Sequence, residues 1–236
     1  EDTEDSYTDS HDTEKQDAVT TSQGQEEPEY PDIVFDTEVI AGEPGEPMRI
    51  NWNPYKLPAL FSEAGEEYGE GALDFIKALI NHRNTVSFSS LEVMKAVEDN
   101  IFAGFPLSAL ASVTFDAESL SAVFDYRYQR DEHLRKVTEF KERVESIIAE
   151  TLLFGDDECI AALLLYHWIS SEVDYFTHAY EQWQTNAYYA LMNGESICYG
   201  FAEAYSYLLL QVGIRAEVLF LERRSDGAEH AWCVIT

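Results

Sequence analysis

The sequence has 236 residues, 45% of them hydrophobic and 13% aromatic, which is enough apolar material for one or two domains with real cores. Its formal net charge is −30, and an acidic body repels phosphate backbones, which argues against a nucleic-acid ligand. Three cysteines, Cys159, Cys198 and Cys233, are too few and too odd in number for a disulfide scaffold, and no apolar run reaches the roughly 18 residues that a membrane-spanning helix needs.

The charge is uneven. Residues 1–47 hold sixteen acids against the single base Lys15. Such a stretch cannot bury enough apolar surface to offset its ordering entropy, so it reads as an acidic disordered tail or linker. Pro28, Pro31, Gly42, Pro44, Gly45 and Pro47 break any regular element there, although Ile33-Val34-Phe35 could dock locally. The chain opens at Glu1 rather than Met, which suits a processed or trimmed product. By composition the leader is similar to the spacer of a bacterial surface lipoprotein, giving an extracellular or cell-surface expectation. The alternative is the acidic tail of a cytoplasmic protein.

Residues 48–152 read as a small α/β domain. Leu73, Ile76, Leu79 and Ile80 share a helical face. Ser89 or Ser90 is placed to cap a helix over 91–102, which Gly104 and Pro106 end. Two alternating stretches, 109–115 and 120–128, flank the turn Asp116-Ala117-Glu118-Ser119 and predict a hairpin. A long amphipathic helix follows over about 131–153, with Leu134, Val137, Val144, Ile147, Ile148 and Leu152 at helical spacing. His82 and His133 read as surface residues.

Residues 153–236 read as a second domain. Asp156 and Asp157 open a helix over about 158–171, whose apolar face draws on Ile160, Leu163, Leu164, Tyr166, His167 and Trp168; Cys159 reads as core. An aromatic-rich loop is expected from Val173 to about Ala187. Asn193-Gly194 marks a turn, and Ser196 is the expected N-cap of a helix running to about Val212, ended by Gly213. Cys198 falls in the first turn of that helix. The unpaired N–H groups there carry partial positive charge, which favours a thiolate and can hold an oxyanion. Gly200 and Ala202 are small and would leave room beside the sulfur. A β-run over 214–221, a polar turn over 223–227 and a return strand over 229–235 follow. In that strand His230, Trp232 and Val234 share one face, and Ala231, Cys233 and Ile235 the other. A lone helical cysteine is more often a small buried hydrophobe. For Cys198 the helix start and the downstream histidine point instead to a Cys–His nucleophile pair, whereas Cys233 reads as structural. His167 and His178 lack metal-ligand spacing, and neither a metal nor any other cofactor is expected.

The segment GESICYGFAEAYSYLLLQVGIRAEVLF followed by EHAWCVI resembles the core of the transglutaminase-like superfamily. LLLYHWISSEVDY and NAYYALMNGES, upstream, resemble the stretches that open such domains and precede their cysteine. The resemblance implies an α+β fold with a papain-like core: a cysteine helix packed on an antiparallel sheet. It implies acyl transfer on peptide, protein or cell-wall amides, with Cys198 as nucleophile and His230 as its base. Tyr188, Tyr199, Gly200 and Trp232 become candidates for the oxyanion site or cleft wall. The family's orienting Asp lies on a strand after the histidine strand, and this sequence ends six residues past His230. Asp226 is the nearest acid and reads as a turn residue. The domain is therefore expected to be incomplete at its C-terminus, or to work without a third member. The alternative function is a catalytically impaired domain kept for binding or scaffolding.

Overall fold

The computed structural model describes residues 32–57, 63–176, 185–222 and 229–236. Residues 32–236 form one compact unit of mixed helix and antiparallel sheet, an α+β arrangement. Residues 1–31 and the predicted polar turn over 223–227, with Asp226, lie outside the described residues.

The first elements are α1 (Glu63–Ile80), β1 (Thr85–Ser87) and α2 (Leu91–Ala96). Ser90 caps α2, its side chain accepting the Val93 N–H at 3.2 Å. The helix predicted over 91–102 is real but not uniform: it widens into a π turn over Val97–Phe102. A short 3₁₀ helix (Pro106–Leu110) leads into β2 (Ala111–Asp116) and β3 (Ser121–Tyr126), the predicted hairpin. β1 adds antiparallel to β3, giving the sheet order β1-β3-β2. Phe75 of α1 fills the space above this sheet, its ring 5.2 Å from that of Phe124 and 6.0 Å from that of Phe115.

Helix α3 (Arg130–Thr151) buries His133, Val137, Phe140, Val144, Ile147 and Ile148 along one stripe. His133, expected on the surface, is instead fully buried. It stands in register with the apolar stripe, and its Nε2 donates to the Leu79 carbonyl at 2.8 Å. Helix α4 (Glu158–Glu172) is capped by Asp157, which accepts the Ile160 N–H. It buries Ala161, Ala162, Leu165 and Ile169, while Ile160, Leu163 and Tyr166 are exposed. Cys159, expected in the core, is exposed too. The reason is that α4 is apolar nearly all round, so its own periodicity does not say which side is packed.

β4 (Asp174–Tyr175) and β5 (Glu195–Ser196) form a short parallel pair on either side of α5 (Ala187–Asn193). The loop expected up to Ala187 thus gives way to a helix that begins at Ala187 and is capped by Asn186. Gly194 ends it at φ 71°, the left-handed region that favours glycine. Then follow α6 (Cys198–Gln211), β6 (Ala216–Glu222) and β7 (Glu229–Ile235), the last two an antiparallel hairpin packed on α6. Buried Ala204, Ala216 and Ala231 allow that close approach.

The extended segment before α1 joins this core. Fully buried Trp52 donates its Nε1–H to Tyr207 of α6 at 2.6 Å and meets Phe140 of α3 edge to face. Gln211, at the end of α6, accepts from the Asn53 N–H and donates to the Asn53 carbonyl, each at 3.0 Å. Residues upstream of α3 therefore clamp the back of the cysteine helix.

Candidate active site

Cys198 is the first residue of α6. The helix is entered through Ile197, whose backbone is extended and whose carbonyl accepts the first intrahelical bond, from Phe201 N–H at 3.1 Å. The N–H groups of Cys198, Tyr199 and Gly200 precede that bond and cluster at the positive end of the helix. Ser196, the expected cap of this helix, does not cap it: it is fully buried in β5, and its hydroxyl donates to the Thr185 carbonyl at 3.3 Å.

His230 lies on β7, paired with Leu221 of β6. The hairpin packs on α6, and Cys198 and His230 line one cavity of about 760 Å³. Its walls come from several elements. Thr185, Asn186 and Ile197 flank the cysteine, Phe220 comes from β6, Phe102 and Ala103 from the end of the π turn, and Ser112 and Val113 from β2. Arg127 also lines it and donates Nε–H to the Ala109 carbonyl at 3.0 Å. In a chain of net charge −30, no carboxylate is among the described residues of this lining. The cavity is thus a locally non-acidic place, suited to a developing oxyanion.

The remaining candidates separate. Tyr199 lines the cavity, stands 5.1 Å from the ring of Phe220, and donates its hydroxyl to the Ala103 carbonyl at 2.9 Å. Burial and nearby Glu203 push the Tyr199 phenol well above the usual tyrosine range. Trp232 is half exposed and meets the His230 ring edge to face at 4.7 Å, so it supports the histidine from outside rather than walling the cavity. Tyr188 is buried and stacked 5.3 Å from Phe140, away from the lining; desolvation pushes its phenol up to about 12. Gly200 is buried, and a Cβ on it would stand 2.0 Å from Ser196 Oγ and 2.4 Å from the Thr185 carbonyl oxygen. Its smallness admits the chain before α5, not a substrate. Cys233 faces the core, where burial pushes its thiol up to about 11.

Sequence reasoning missed Asn186 and Glu203. Asn186 accepts the Tyr189 N–H through Oδ1 and donates Nδ2–H to the Pro106 carbonyl at 3.0 Å. Its amide is committed at both ends, so it fixes a wall of the cavity rather than contacting a substrate. An Asn just before a helical run is a cap signal and could have been read as one. Glu203 is buried on α6, and its Oε2 accepts the Ala187 N–H at 3.1 Å. Among the described residues, no group of three His, Cys, Asp or Glu side chains is arranged to hold a metal ion, and no helix is long and apolar enough to cross a membrane.

Residues 146–235 match the family model described as the transglutaminase-like superfamily, from the last turns of α3 to the end of β7. No curated protein matches the chain.

Proposed function

With a transglutaminase-like match over residues 146–235 as the premise, we propose that this protein performs cysteine-nucleophile acyl transfer on peptide or carboxamide substrates. The observation that carries the reading is that Cys198, at a helix start, and His230, on the adjacent hairpin, line the same cavity. His230 takes the thiol proton, and the Cys198 sulfur attacks the carbonyl carbon. The oxygen gains negative charge beside the first N–H groups of α6. Collapse breaks the C–N bond, and the amine leaves with the proton from the imidazolium. Water or a second amine, losing a proton to His230, then attacks the thioester and frees the sulfur. Peptide, protein or cell-wall amides are the substrates this chemistry suits. The acidic leader supports a spacer at a bacterial cell surface.

The absence of a carboxylate from the described cavity lining favours a second reading, a catalytically impaired domain kept for binding or scaffolding. Loss of the residue that orients a catalytic histidine costs about 10⁴-fold in a serine triad.

Alkylation with iodoacetamide separates the two. At about pH 6, where an ordinary thiol is barely ionised, an ion-paired Cys198 is labelled ahead of exposed Cys159 and half-buried Cys233, and His230→Ala removes that preference. Equal labelling of Cys198 and Cys159, unchanged in His230→Ala, would sink the enzymatic reading.

A further inference from the structure

Arg127 is the only lysine or arginine among the described residues that line the Cys198 cavity, and acyl transfer by Cys198 and His230 does not use it. It directly follows β3, and two hydrogen bonds tie it to the end of the 3₁₀ helix. Its backbone N–H donates to the Leu110 carbonyl and its Nε–H to the Ala109 carbonyl, each at 3.0 Å. Both acceptors belong to buried residues, so the guanidinium is anchored to the core, while Arg127 itself is exposed on the cavity wall. A guanidinium is planar and always charged, and its fork of N–H donors matches the two oxygens of a carboxylate.

Charge is sorted around this residue. The chain carries 45 acidic residues against 15 basic ones, so a lining with a base and no acid among its described residues inverts the overall balance. A neighbouring cavity of about 370 Å³ shows the opposite arrangement: Asp99, Glu203 and Glu217 line it, with no lysine or arginine among its described residues. Tyr199, Ala103 and Phe220 line both spaces, so the two adjoin. The acidic body repels anions at a distance, but salt screens that field over about 8–10 Å. Inside the cavity the nearest charge decides, and that charge is positive.

We propose that Arg127 is a binding residue for a carboxylate of the substrate, which makes the substrate an amide with a free carboxylate close to the scissile bond. A cavity of about 760 Å³ holds a ligand larger than a single amide group, so one molecule can place a carbonyl at Cys198 and a carboxylate at Arg127. Ser108, next to Ala109 in the chain, and Ser112 line the same space and add hydroxyl donors. The acids of the adjoining cavity repel the carboxylate, so the contrast also sets the direction in which the substrate lies. An acidic side chain and a chain-terminal carboxylate present the same group to Arg127. The proposal rests on the acyl-transfer reading for the bond that is cut, but not for its test.

Iodoacetate and iodoacetamide differ by one carboxylate and alkylate the same thiolate, so the ratio of their rates cancels the degree of thiol ionisation. That ratio is measured at Cys198 in the full chain near pH 7, with exposed Cys159 as the internal control. Arg127→Gln should lower the Cys198 ratio at least about threefold, the scale of one screened charge, and leave the Cys159 ratio in place. Arg127→Lys, which keeps the charge, should retain at least half of the wild-type ratio. A Cys198 ratio that Arg127→Gln leaves unchanged overturns the proposal.

A second measurement needs only the wild type. Protection of Cys198 from iodoacetamide is compared for three dipeptides: acetyl-glutaminyl-glycine, with a terminal carboxylate; acetyl-glutaminyl-glutamate amide, with a side-chain carboxylate; and neutral acetyl-glutaminyl-glycinamide. At least one anionic dipeptide should protect at a concentration about threefold or more below the neutral one, and the better of the two identifies the source of the carboxylate. If neither outdoes the neutral dipeptide, the proposal is overturned. Failure of the enzymatic reading shows separately, in the labelling preference at about pH 6 and its response to His230→Ala.

Discussion

The rings of His230 and Trp232 meet edge to face, with centroids 4.7 Å apart and planes at 84°. The two residues are separated by one position on β7, so the pleat puts both on one face and the indole braces the imidazole. Aromatic pairs of this kind contribute about 0.5–1.5 kcal/mol beyond area burial. Trp232→Ala should therefore slow Cys198 alkylation by roughly 2- to 10-fold, the rate equivalent of that energy. Trp232 is 53% exposed, so the melting temperature should barely move, and Trp232→Phe should restore most of the rate. A large fall in melting temperature would show that the indole is structural instead.

Gly200 tests a different wall. A side chain there would collide with Ser196 and with the Thr185 carbonyl, a backbone atom that cannot simply swing away. Gly200→Ala should destabilise the fold by roughly 1–3 kcal/mol, the usual cost of overpacking. Urea denaturation measures it. An unchanged midpoint would mean that the chain at 185–196 does not approach α6 so closely in solution.

Buried Glu203 should leave a signature in stability. Its carboxyl is raised by burial from 4.5 to about 8. Between those values the folded protein keeps a proton that the unfolded chain has released, so stability falls as pH rises. The full contribution is present below about pH 4.5 and is lost through about pH 8. The loss is on the order of a few kcal/mol, because a tenfold difference in proton affinity is worth about 1.4 kcal/mol. Glu203→Gln should remove that part of the slope. Urea unfolding of both proteins at several values across this range gives the difference, which cancels the background from other acids.

His133 should act at the acid end with the opposite sign. Burial, and then the neighbouring His82, hold its imidazole down at about 4 from 6.5. Its Nε2 serves Leu79, and Nδ1 has no partner in its buried place. Below about pH 6.5 the unfolded chain gains a proton that the folded one refuses, so stability is lost on acidification down to about pH 4. The loss should approach about 3 kcal/mol, and His133→Gln should flatten it. An identical acid limb in both proteins would place the acid sensitivity elsewhere.

Most elements are legible from local pattern because each carries its own punctuation. Ser90 and Asp157 cap helices through their side chains, Gly213 takes the left-handed φ of 89° after α6, and alternation on either side of Asp116–Ser119 gives β2 and β3. Where local pattern is mute, the sequence misleads. Helix α4 is apolar on nearly every side, so nothing within the helix assigns Cys159 to core or surface. Residue type alone puts His133 on the surface, although its spacing to Val137 and Phe140 places it on the buried stripe.

The sequence by itself determined that Cys198 lies in the first turn of a helix and that His230 follows on a strand with Trp232 on the same face, because helical periodicity and strand alternation are local patterns. Tertiary structure decided what surrounds them. Ala103, Val113 and Arg127 reach the cavity from elements far upstream, and Glu203 finds the Ala187 N–H only because α5 and α6 pack together. Those contacts depend on how separate elements meet in space, which no short-range pattern encodes.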